Sequence, residues 1–135
     1  MIDPAQRSDA LVFFGATGDL AYKKIFPALQ AMVARGRLDV PVIGVANSGW
    51  RREDLIARAR ASLSEAGPPP GATFDKLAGL LRYVDGDYRD DATFAALEKH
   101  LGGATRPLHY LAIPPSLFTT VISKLVGEPP GPGPG

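Results

Sequence analysis

Residues Gly15-Ala16-Thr17-Gly18-Asp19-Leu20-Ala21 carry the sharpest chemical signal in the chain. They follow a short apolar run, ALVFF at 10–14, and precede apolar positions that recur at helical spacing, among them Ile25, Phe26, Leu29 and Val33. A strand, a tight turn and a helix N-terminus in that order suit an anion: backbone N–H groups and the positive end of the helix dipole converge there, and glycines keep side chains out of the way. A pyrophosphate needs such N–H groups and no side chain in its way, which Gly15 and Gly18 supply. Thr17 adds a hydroxyl donor, Asp19 is placed to cap the helix, and Ala21 lets helix and sheet pack closely. The plainer alternative is a turn whose glycines serve only the backbone, and spacing alone leaves both readings open. The pattern is GxxGxxA, not GxGxxG, and no Gly-Lys-Ser/Thr follows, which excludes a P-loop and disfavours ATP chemistry.

Other chemistries are excluded by composition. No cysteine is present, so disulfides, thiolate metal sites and cysteine nucleophiles are out; His100 and His109 lack a ligand pattern, and no metal is expected. A formal net charge of +1 offers no field for gripping nucleic acid or an anionic membrane. The N-terminal residues do not resemble a secretory signal and no apolar run is long enough to span a bilayer, so a cytoplasmic location is expected.

The elements that must position the turn follow from periodicity. Strands are expected at 10–14, 40–46 (Pro41 at its start), 81–84 and 107–113. Between them lie a helix from Leu20 that stops near Gly36, an amphipathic helix over 51–65, a short helix over 74–81, and a helix capped by Asp91 and ending at Leu101. A further helix is expected over 116–126, and AGPPPG at 66–71 reads as a loop. This alternation predicts an α/β fold, a Rossmann-type parallel sheet with helices on both faces. Residues 1–126 form the expected domain; 127–135, GEPPGPGPG, read as a disordered or polyproline-like tail.

Four segments in order, FGATGDLAYKKIFPAL (14–29), VIGVANSGW (42–50), YVDGDYRDDATF (83–94) and HYLAIPPSLF (109–118), resemble the nucleotide-binding domain of glucose-6-phosphate dehydrogenases. The resemblance implies NADP or NAD as cofactor and a parent enzyme of the pentose phosphate pathway that oxidises glucose 6-phosphate to 6-phosphogluconolactone. It implies Gly15, Ala16, Thr17, Gly18, Asp19 and Leu20 around the pyrophosphate, Tyr110 and Pro114 beside the nicotinamide half, and Lys24 near the sugar phosphate. For Lys23 and Lys24 a solvated helix face is the alternative, and for Tyr110 a core aromatic. His109 should face away from Tyr110 and is read as structural.

Two departures bear on function. Asn47 stands where NADP-using relatives carry an arginine, and an amide brings no charge to a 2′-phosphate. Arg51 and Arg52 are candidates to restore a cation, or are simply solvent-facing. No Asp or Glu stands at the end of the second strand either, so dual or undecided specificity is expected. The family's Glu-Lys-Pro and catalytic-histidine segments do not occur, and no residue is assigned as catalytic. The expectation is nucleotide binding without turnover, with the substrate domain and its dimer contacts missing. The alternatives are a non-enzymatic interaction or folding module that self-associates through apolar surface, and a short-chain-type reductase, whose Tyr-x-x-x-Lys spacing is not found.

Overall fold

Strand β1 (Ala10–Phe14) is buried at every position, which accounts for its unbroken apolar run: both faces of the strand meet helices. Strand β2 (Val42–Ala46) is equally buried and starts after Pro41, whose missing N–H falls outside the ladder. Strands β3 (Leu81–Asp85) and β4 (Pro107–Leu111) complete a four-stranded sheet in the order β3-β2-β1-β4, every pairing parallel. The computed structural model describes residues 9–66, 71–104 and 106–126. The central part of the predicted loop at 66–71 and the predicted tail at 127–135 lie outside these residues.

The helices divide between the two faces as the alternation predicts. Helix α1 (Phe26–Ala34), helix α2 (Arg52–Ala66) and helix α3 (Ala72–Leu80) cover one face, burying Phe26, Leu29, Val33, Leu55, Ala59, Phe74 and Leu77 against Leu11, Phe13, Val42 and Leu81. Helix α4 (Asp91–Leu101) and helix α5 (Phe118–Val126) cover the other, where Leu97 and Val121 meet Val12, Phe14, Ile43 and Val45.

Local details depart from the periodic reading for identifiable reasons. The first helix begins at Asp19 and Leu20 and runs at once into a π-helical segment, Ala21–Ile25, after which the Phe26 N–H reaches back to the Ala21 carbonyl. Pro27 has no N–H to return to residue 23, so the regular ladder is already broken there. Asp90, not Asp91, caps α4, its carboxylate accepting from the Ala92 N–H at 3.0 Å. Helix α5 is preceded by a separate 3₁₀ turn, Pro115–Leu117.

His109 faces α4 and α5, half-buried and stacked on Phe14 with ring centroids 6.3 Å apart. Burial holds its imidazole below the ordinary value. The unfolded chain therefore binds the extra proton first, so the contribution of His109 is complete above about pH 6.5 and is lost as pH falls through the folded value. Urea midpoints measured at about pH 7.5 and pH 5.5 should fall in the natural chain, and His109→Phe should shrink that fall. An equal fall in both proteins would remove His109 as its source.

Candidate functional site

The turn after β1 lies where the strand order changes direction, with β2 on one side of β1 and β4 on the other. Open parallel sheets bind ligands in this crevice, outside the carboxyl ends of the strands. Gly15 adopts φ +84°, and a Cβ there would lie 2.0 Å from the Ala112 carbonyl oxygen beyond β4. Its N–H is occupied, donating to the Val45 carbonyl and the Tyr88 hydroxyl, each at 2.8 Å. The Ala16 N–H also goes to Val45, at 3.2 Å, and the Gly18 N–H turns back to Gly15, at 3.0 Å.

Gly15 and Gly18 thus shape the turn, while the N–H groups of Thr17, Asp19 and Leu20 have no backbone acceptor among the described residues. These three donors, at the start of a helix and beside a residue without a side chain, fit a pyrophosphate. Ala16 is fully buried and packs so closely on β2 that a Cβ at Gly44 would come within 2.8 Å of its methyl group. The Asp19 side chain is 90% exposed and makes no helix cap, contrary to its expected role; its neighbour is the Arg58 guanidinium at 4.0 Å. A carboxylate already inside the first turn cannot reach back as an N-cap does.

The loop after β2 forms the second wall. The Thr17 and Ser48 hydroxyls lie 2.8 Å apart, tying this loop to the turn. Asn47 is exposed and Gly49 has φ +70°. Asp85, at the end of β3, accepts from the Ser48 and Gly49 N–H groups at 2.9 and 3.0 Å and from the Tyr83 hydroxyl at 2.5 Å, all through Oδ1. Partial desolvation pushes this carboxyl upward, but the bonds from Tyr83 and from the loop backbone outweigh it and hold the pKa below the usual range. Burial, and then Asp85, push the Tyr83 hydroxyl well up, so it remains a donor.

The arginines near this loop have different fates. Arg52 is committed elsewhere, donating to the Leu81 and Ala78 carbonyls, both at 2.7 Å, at the end of α3. Arg51 is exposed. Arg58, which sequence reasoning did not single out, lies over the Tyr22 ring at 4.6 Å and near the Trp50 ring at 5.9 Å, with Nη2 3.4 Å from the Gly18 carbonyl.

Tyr110 pairs with Phe13 across the sheet and is 50% exposed, so it is not a core aromatic in these residues. Pro114 is exposed beyond the same strand, whereas Lys24 stands exposed on the π-helical segment with no partner among the described residues. A groove of about 530 Å³ between α4, α5 and β4, lined by Phe94, Leu101, His109 and Leu125, lies on the other face from Tyr110 and takes no part in this constellation.

Tyr88 was also missed by sequence reasoning. Its hydroxyl donates to the Val45 carbonyl at 3.1 Å while receiving the Gly15 N–H, and burial raises its pKa. Tyr88→Phe removes this bridge but keeps the ring against Phe14, so a loss of about 0.5–1.5 kcal/mol in urea unfolding is expected. No change in stability would show that the bridge does not hold the turn.

The family described as "Glucose-6-phosphate dehydrogenase, NAD binding domain" matches residues 12–128. Glucose-6-phosphate 1-dehydrogenase 1 of Mycobacterium tuberculosis (strain ATCC 25618 / H37Rv) is 42% identical over 118 residues, covering 87% of this chain and 25% of the relative. The cytoplasmic isoform from Solanum tuberosum is 34% identical over 125 residues, covering 83% and 24%. The crystal structure of glucose-6-phosphate 1-dehydrogenase from Mycobacterium avium superposes with a TM-score of 0.84 at 42% identity, covering 89% of this chain and 26% of that one. A glucose-6-phosphate dehydrogenase solved with its substrate glucose 6-phosphate gives a TM-score of 0.76 at 32% identity, covering 87% and 27%. The chain thus spans about a quarter of the length of these relatives. With the parallel sheet, the glycine turn and this match in agreement, the chain belongs to the NAD-binding domain family of the glucose-6-phosphate dehydrogenases.

Proposed function

We propose that this chain is the dinucleotide-binding portion of a glucose-6-phosphate 1-dehydrogenase that works in the cytoplasm. The parent reaction oxidises glucose 6-phosphate at C1 to 6-phosphogluconolactone and reduces NADP or NAD, with release of a proton. The observation that carries the reading is the turn at the strand-order reversal, whose Thr17, Asp19 and Leu20 N–H groups lack backbone acceptors among the described residues. In this reading the pyrophosphate lies against residues 15–20, the adenosine half against Asn47 and Arg51, and the nicotinamide half toward Tyr110 and Pro114. Lys24 belongs to the substrate side. The bound nicotinamide supplies the two-electron acceptor; these residues bind and orient it.

A general base must come within hydrogen-bond reach of the C1 hydroxyl. His109 is stacked on Phe14 on the far face of β4 and His100 is exposed on α4, so neither suits the role. This stretch therefore binds nucleotide without turning it over. Titration with NAD or NADP, followed by fluorescence of the half-buried Trp50 and by thermal shift, should give a saturable response. Stabilisation should reach about 2.7 kcal/mol at a hundredfold excess over Kd. No response to either nucleotide at millimolar concentration would overturn the reading.

A second reading, a non-enzymatic module that associates through apolar surface, is favoured by the exposure of Leu108 and Tyr110 on β4 and Ile122 on α5. Sedimentation that depends on protein concentration and ignores nucleotide would select it.

A further inference from the structure

We propose that Asp85, reaching in from the end of β3, selects the adenosine ribose, and that this chain accordingly favours NAD over NADP. The inference rests on the dinucleotide reading above. In a Rossmann half the residue at the end of the second strand decides between the two nucleotides: an acid accepts from the ribose diol, whereas a cation pairs with the 2′-phosphate. Asn47 does neither with charge. The parallel register, however, sets Asp85 opposite Ala46, the last residue of β2, so a carboxylate stands at the same end of the sheet, one strand over.

Three features fit Asp85 to that task. Its Oδ1 is anchored by the Ser48 and Gly49 N–H groups and by the Tyr83 hydroxyl, which hold the carboxylate against the two residues that follow Asn47. A carboxylate has about four lone-pair sites, and with these bonds concentrated on Oδ1, Oδ2 retains capacity for a ligand hydroxyl. The side chain is exposed, so a ribose can reach it.

The same geometry works against a 2′-phosphate. Backbone N–H groups just past β2 would be its natural donors, but those of Ser48 and Gly49 are already bound to Asp85. The anchored negative charge then repels a phosphate dianion. Among the neighbouring cations, Arg52 is spent on the Leu81 and Ala78 carbonyls, and Arg58 is held over Tyr22 beside the Asp19 carboxylate. Of the three arginines only Arg51 is left to oppose Asp85. The hydroxyl contact between Thr17 and Ser48 fixes this selector relative to the pyrophosphate turn, so both halves of the recognition act on one ligand pose.

Calorimetric titration of the 135-residue chain with NAD, NADP and 2′-deoxy-NAD tests this directly. NAD should bind about tenfold more tightly than NADP, and removal of the 2′-hydroxyl should weaken NAD several-fold, as expected for a charged hydrogen bond. Asp85→Asn keeps an amide oxygen for the Ser48 and Gly49 N–H groups while removing the charge, so it should bring the NAD to NADP ratio close to one, mainly by strengthening NADP. A natural chain that binds NADP as tightly as NAD, or tighter, overturns the inference, as does an Asp85→Asn chain that loses both nucleotides by the same factor. Should that variant not fold, the three nucleotides on the natural chain still decide. Failure of both nucleotides to bind would instead overturn the dinucleotide reading, and this inference with it.

Discussion

Gly15→Ala should destabilise the domain by roughly 3–5 kcal/mol and abolish the response to nucleotide. The backbone at Gly15 has φ +84°, where an L side chain is strained by about 1–2 kcal/mol before any contact is considered. The larger part comes from space. A Cβ would meet the Ala112 carbonyl oxygen at 2.0 Å, its carbon at 2.8 Å and the Ile113 Cγ2 at 3.1 Å. The first two are backbone atoms and cannot rotate away, because the Ala112 N–H is bound to the Phe14 carbonyl at 2.9 Å in continuation of the β1–β4 ladder. Relief requires either the turn or the end of β4 to move, and both border the crevice. Gly36 is the internal control: its φ is +70°, but a Cβ there meets nothing within 4 Å. Gly36→Ala should therefore cost only the conformational part. Equal urea midpoints for the two variants would show that the approach of Ala112 does not constrain Gly15.

The contrast between these glycines marks the limit of sequence reading. That Gly15 ends a strand and opens a helix was legible, because β1 is buried on both faces and the following apolar positions keep helical spacing. That its N–H turns inward to Val45 and Tyr88 was not, since Tyr88 lies 73 residues away and meets the turn only after β3 has paired with β2. Asp85 was hidden in the same way. Along the sequence the end of β2 offers only Asn47, whereas the carboxylate arrives through the register of the neighbouring strand. Its position as the last residue of β3, at the ligand-binding edge of a parallel sheet, was the available clue. Arg52 shows the converse: sequence left open a ligand cation or a solvent-facing side chain, and the fold uses it to satisfy the Ala78 and Leu81 carbonyls where α3 passes into β3. Asp90 and Asp91 are adjacent and chemically equal as caps, so only the backbone geometry of Asp90 separates them.

Phe14→Ala should cost about 3–5 kcal/mol, as expected for a fully buried aromatic whose removal leaves a cavity. The ring sits where the core and the turn meet. It stands edge-on to Tyr88 at 5.8 Å and lies stacked near Phe94 at 6.1 Å and His109 at 6.3 Å. Loss of the ring frees Tyr88 to tilt, and the hydroxyl that joins the Gly15 N–H to the Val45 carbonyl goes with it. The damage therefore extends beyond packing, and a double-mutant cycle separates the two parts. Once Phe14 is alanine, Tyr88→Phe should cost less than it does in the natural chain, because the bridge it removes is already loosened. Nucleotide affinity should follow the same pattern, falling with either single change and little further with both. Strict additivity in both measurements would mean that Phe14 contributes to the core alone and that Tyr88 holds the turn without help from the ring beneath it.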